Sequence, residues 1–128
     1  MLDLIEQSAP MARRLADSQC HVRNGNDDCG ALHGVWLDLR RIGLAADPQR
    51  HAEFFDDALR EGIAGGGTER VLVSGCADWG MLAAVVSAYE ASQTPLDVTV
   101  VDRCITPVLM SAWYGAQLVC RCARRSAI

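Results

Sequence analysis

The chain has 128 residues, enough for about one domain with a real core. Its net charge of −4, with 22% charged residues and a mean hydropathy of +0.08, describes an ordinary globular chain and a poor general polyanion binder, so no nucleic-acid partner is expected. No stretch approaches the ~18 consecutive apolar residues of a membrane span, and the acidic start MLDLIEQSAP is not a secretory leader, so no membrane partner is expected either. In chain order, Leu2, Ile5, Met11 and Leu15 suggest an amphipathic helix broken near Pro10. HVRNGNDDCG, residues 21–30, reads as a turn-rich loop. Leu32, Val35, Trp36, Leu39 and Ile42 recur at spacings of three and four, which predicts a helix over 31–43 with this stripe on the core. Asp47-Pro48 reads as a cap followed by proline at the first helical position. The helix it opens runs to about Ala64, with Ala52, Phe55, Leu59 and Ile63 on one face, and Gly65-Gly66-Gly67 stops it.

The pattern then changes. Val71-Leu72-Val73-Ser74 is a short apolar run between glycines, the composition of a buried strand. GMLAAVVSAYEA, residues 80–91, is an Ala-rich helix, and LDVTVV, residues 96–101, a second strand. Residues 106–118 predict another helix, with Thr106 as cap and Pro107 at the first helical position. Strands alternating with helices argue for an α/β chain in which residues 1–67 are a helical lead-in. Residues 68–128 are then the β-α-β-α start of a Rossmann-like parallel sheet. Residues 119–128 carry three arginines and no acid, and read as a short third strand with a tail or as a truncated or out-of-frame end.

All 12 basic residues are arginine. A GC-rich genome explains that composition, and the absence of lysine excludes Schiff-base and P-loop chemistry. The six cysteines are expected to be reduced thiols of a cytoplasmic protein. Cys20 and Cys29, near His21 and His33, lack the spacing of a zinc knuckle, and Cys120-Arg121-Cys122 is too tight for one, so no metal is expected.

The chemistry-bearing stretch is VLVSGCADWGML followed by VTVVDRC. A strand ends at Gly75, and glycine there permits a positive φ and close approach of a ligand to the backbone. The following helix offers free N–H groups near Asp78 to Gly80. Asp102 ends the second strand beside the same crevice, where a carboxylate can accept hydrogen bonds from ribose hydroxyls. Together these point to a nucleoside-containing ligand. The run Gly75-Cys76-Ala77-Asp78-Trp79-Gly80 lacks the middle glycine of a dinucleotide fingerprint, and bulky Trp79 disfavours a pyrophosphate, leaving a nicotinamide-dependent enzyme as the weaker alternative.

GCADWGMLAAV and VVDRCITPVLMSAWYGAQL resemble the class I S-adenosylmethionine-dependent methyltransferases, and LHGVWLDLRRIGL and ADPQRHAEFF are similar to the helical lead-in of a subset of them. The resemblance spans about residues 30–118. It implies S-adenosylmethionine as cofactor and methyl transfer to a small-molecule acceptor. It implies that Gly75 with the Cys76 and Ala77 backbone lines the methionine part, that Asp102 holds the ribose, and that Arg103 and Cys104 flank the adenine. Asp78 either caps the helix or reaches the cofactor amine. His51, Phe54 and Phe55 lie on the helix that folds over the cofactor in such enzymes, or serve packing and surface roles; His33 and Trp36 are packing or site-lining residues. Val73, where the wider family often has an acid, and Ala77, in place of the second glycine, depart from the pattern. The family's sheet has more strands than this sequence shows, so the chain reads as the cofactor-binding half. A second reading is a non-catalytic assembly module that forms a homo-oligomer through an unpaired sheet edge.

Overall fold

The computed structural model describes residues 7–20, 29–45, 48–66 and 70–125. The chain is mixed α/β. Helix α1 (Ser8–Leu15) runs into a π-helical turn (Ala16–Cys20), followed by α2 (Cys29–Gly34), α3 (Trp36–Arg41) and α4 (Pro48–Ala64). Strand β1 (Arg70–Ser74), α5 (Gly80–Ala91), β2 (Asp97–Val101) and α6 (Ile105–Arg125) complete the order. The strands pair in parallel, Arg70 opposite Asp97 through Ser74 opposite Val101. The ladder extends one step further, because the Gly75 N–H donates to the Val101 carbonyl at 3.1 Å.

Local chemistry accounts for most boundaries. Pro48 opens α4, where its missing N–H has no partner to lose; Asp47, the expected cap, lies outside the described residues. Gly66 ends that helix at φ +72°, and its N–H donates to the Ile63 carbonyl. Pro10 does not break α1: it sits in the first turn, where proline is tolerated. The helix widens further on, at Ala16–Cys20. The positions Leu2 and Ile5 lie outside the described residues, as do 21–28.

The segment expected as one helix over 31–43 is two short helices joined through Val35, whose carbonyl accepts from Leu39 N–H at 2.9 Å. Its orientation differs from the expected one. Leu32 is 57% exposed and Ile42 67%, whereas His33 and Gly34 are buried. Two causes turn this face inward. Gly34 has no β-carbon, and one placed there would overlap the Arg13 side chain of α1. His33 and Arg40 also find polar partners in the loops after β1 and β2, which offsets their burial.

The core has two connected parts. Ala12, Trp79, Leu82, Ala83, Met110 and Tyr114 form one, and Val73, Cys76, Val85 and Tyr89 the other, against Leu59 and Ile63 of α4. Trp79 is fully buried and lies parallel to Tyr114, centroids 6.1 Å apart, with Trp113 at 5.2 Å. Ala12 of the lead-in shares that cluster, so α1 packs on α6 and joins the described part of the lead-in to the strands and helices that follow it. Val71, Val73, Val98 and Val100 face the helices, while Leu72, 65% exposed, and Val101 lie on the other face of the sheet. Residues 119–125 do not form a third strand: α6 continues to Arg125. Among the described residues no helix is long and apolar enough to cross a membrane.

Candidate functional site

The two strands end side by side, and both chain reversals that leave them meet at one carboxylate. Asp102 Oδ2 accepts the Cys76 N–H at 2.7 Å, and Asp102 Oδ1 accepts the Cys104 N–H at 2.8 Å. The side chain therefore clamps the turn after β1 to the turn after β2. Gly75 makes that turn at φ +74°, a conformation L side chains rarely adopt, and a β-carbon there would meet no atom within 4 Å. The space in front of it belongs to an open cleft of about 440 Å³ lined by Ser74, Gly75, Val101, Asp102 and Arg103. That volume is in the ~300–1,000 Å³ range of small-molecule sites.

Of the six expected cofactor residues, Gly75, Asp102 and Arg103 line this cleft. Cys76 contributes its N–H to the clamp, but its thiol is buried in the core. Burial first, then the Asp102 and Asp78 carboxylates, push that thiol upward, so it stays protonated. Ala77 is half-buried beside it. Asp78 does not reach the cleft lining. One oxygen accepts the Gly80 N–H at 2.8 Å and caps α5, and the other accepts from Arg40 Nη1 at 2.5 Å, with both side chains nearly dehydrated. Phe54 is exposed and packs edge-on against Phe55 at 4.9 Å; neither lines the cleft. Trp36 is half-buried, and the side chain of His51 lies outside the described part.

Next to Arg103 of the cleft lining, a cluster forms around Cys104 that spacing alone did not suggest. His33 Nε2 lies 3.3 Å from Cys104 Sγ, Cys104 Sγ lies 3.4 Å from Cys20 Sγ, and Cys20 Sγ lies 3.0 Å from Thr106 Oγ1. Burial pushes the Cys104 thiol up, opposed by the Thr106 backbone, with the neighbouring Cys20 adding to the rise. Among the described residues no group of three or more His, Cys, Asp or Glu side chains is arranged to hold a metal ion.

Burial also lowers the pKa of His33, against the opposing pull of the Asp102 charge and the Ala77 backbone. The unfolded chain then binds a proton that the folded chain resists. The contribution is complete above the ordinary value near 6.5 and is lost as the pH falls toward the lowered folded value. Urea midpoints measured from pH 7.5 down to 5 should fall for the wild type, and His33→Gln should flatten that slope; an unchanged slope excludes His33 as its source.

The residues that sequence reasoning missed are Arg40, Ser74, Val101 and the Cys20–Cys104 contact. A signal for Arg40 existed: it lies seven residues after His33, on the same helical face, two turns on. No family model matches this chain, and neither the curated proteins nor the solved structures give a match, so the site stands on its own geometry.

Proposed function

We propose that this chain is the cofactor-binding portion of an S-adenosylmethionine-dependent methyltransferase that acts on a small-molecule acceptor, and that β1-α5-β2-α6 is the opening of a Rossmann-like unit working in the cytoplasm. The observation that carries this reading is Asp102 at the mouth of a cleft beside Gly75, outside the carboxyl ends of two adjacent parallel strands. Ligands of open α/β sheets bind in that place. Each Asp102 oxygen uses one lone pair on a backbone N–H and keeps another for a ribose hydroxyl.

The same clamp bears on which nucleoside fits. The Cys76 N–H, which could otherwise face a phosphate, is already taken by a carboxylate, and the negative charge of Asp102 disfavours a pyrophosphate beside it. A nucleoside cofactor without phosphate, carrying a sulfonium cation, suits this site better than a dinucleotide. In the reaction the chain's part is to hold: Asp102 the ribose, the Gly75 turn the amino-acid end and Arg103 the rim. Methyl transfer needs in-line placement more than acid–base catalysis. Calorimetry of the folded chain with S-adenosylhomocysteine tests the reading. Saturable binding with one site supports it, and binding of NADH in place of S-adenosylhomocysteine overturns it.

A second reading, homo-oligomerisation through the sheet and its unpaired edge, is favoured by one observation, the exposure of Leu72 and Val101 on the sheet face that no described residue covers. Light scattering at rising concentration should show a dimer that Leu72→Lys returns to monomer. A wild-type chain that stays monomeric throughout removes this reading.

A further inference from the structure

We propose that Cys20 and Cys104 form a reversible thiol–disulfide pair, oxidised by a peroxide, that locks the N-terminal helical segment onto the rim of the cleft. The two residues are 84 positions apart in sequence, yet their sulfurs lie 3.4 Å from one another, and both are free thiols. Closing to the ~2.05 Å of a disulfide takes an approach of about 1.4 Å. The geometry also supplies the remaining parts. Cys104 is half-buried but less enclosed than Cys20, so it is the sulfur a peroxide can reach, and because burial keeps it a protonated thiol its proton must be taken as it attacks; Cys20 is 2% exposed and sits behind it as the resolving thiol. His33 Nε2, 3.3 Å from Cys104 Sγ, is placed to take the thiol proton. Thr106 Oγ1, 3.0 Å from Cys20 Sγ, holds that sulfur in place.

The chemistry balances in two steps. Cys104 sulfur attacks one oxygen of hydrogen peroxide, the O–O bond breaks, and the thiol proton passes through His33 to the departing hydroxide, giving a sulfenic acid and one water. Cys20 sulfur then attacks the sulfenic sulfur, the S–O bond breaks, and the hydroxide leaves with the Cys20 proton as a second water. Each sulfur loses one electron and the peroxide gains two. The bond formed ties the turn after α1 to the residue following Arg103. The backbone N–H of Cys104 is the one that Asp102 holds, so the crosslink is anchored on the cleft's own carboxylate.

The pair is independent of the methyltransferase reading, and so is its test. The full chain is treated with hydrogen peroxide, alkylated and mapped without reduction. Cleavage after arginine puts Cys20 in the fragment 15–23 and both Cys104 and Cys120 in the fragment 104–121, so the mapping is repeated in Cys120→Ser to assign the bond. The expected result is one crosslink between these two fragments, retained in Cys120→Ser, lost in Cys104→Ser and Cys20→Ser, and reversed by dithiothreitol. His33→Gln should slow its formation about tenfold or more without abolishing it. Irreversible oxidation of Cys104 without a crosslink, or a crosslink that vanishes in Cys120→Ser, overturns the proposal. The wild-type map decides the question even if a serine variant folds poorly.

Discussion

Replacing Asp78 with alanine should destabilise the chain by roughly 3–5 kcal/mol, the usual effect of leaving one member of a buried ion pair alone. That is a large share of the ~5–15 kcal/mol that holds an ordinary domain folded. Three losses coincide at this side chain. The Gly80 N–H at the start of α5 loses its acceptor. Arg40 keeps a guanidinium in a nearly dehydrated position, where its Nε already has no hydrogen-bond partner. The turn that carries Gly75 to the cleft and Cys76 to the Asp102 clamp loses its tie to α3. Arg40→Met should be damaging for the mirror-image reason, since it strands the carboxylate, though the Gly80 N–H still compensates part of that charge. The pair is distinguished from two unrelated defects by a double-mutant cycle in urea. Arg40→Met with Asp78→Leu should be clearly less destabilised than the sum of the single changes, because no charge is left buried alone. Strict additivity would show that the contact carries no coupling.

Asp102→Asn should weaken S-adenosylhomocysteine binding by roughly 1.5–3 kcal/mol, about 10- to 150-fold, the worth of hydrogen bonds to a charged group. The change also bears on the fold. An amide can accept the N–H of Cys76 or of Cys104, but its NH₂ group then faces the other donor. Some loss of stability is therefore expected together with the loss of binding. The two separate by comparing thermal midpoints with and without saturating ligand, since only the ligand-dependent shift reports binding. A folded Asp102→Asn chain with an undiminished shift would remove Asp102 from the ribose role while leaving it as the clamp between the strand ends.

Much of the architecture is carried by local pattern. The β-branched runs at 71–74 and 98–101, the Ala-rich stretch 80–91 and the proline at 48 determine β1, β2, α5 and the start of α4 by themselves, because strand, helix and cap preferences act over a few residues. The strand-end pair Gly75 and Asp102 was legible for the same reason: a glycine after one strand and an acid after the next have meaning only in a parallel β-α-β unit, and both reach the cleft.

What only the tertiary structure decided lies where a residue's partner is distant in sequence. The spacing of Leu32, Val35 and Ile42 pointed to the core, yet those side chains are turned outward, because burying His33 and Arg40 beside Cys104 and Asp78 satisfies polar groups that no periodicity reports. Asp78 had two open roles; it caps α5 through the Gly80 N–H, and Arg40, from 38 residues away, adds a buried charge partner that no spacing reports. Cys20 and Cys104 meet only because α1 packs on α6. The opening figures change meaning accordingly. A net charge of −4 describes the whole chain, but Arg40 and Asp78 neutralise one another in the interior, and Asp102, held by two backbone N–H groups and with no ion-pair partner among the described residues, stands at the cleft. Sequence determines which elements form, since that depends on neighbours along the chain; their faces and partners are decided by packing, which alone brings distant polar groups within hydrogen-bonding reach.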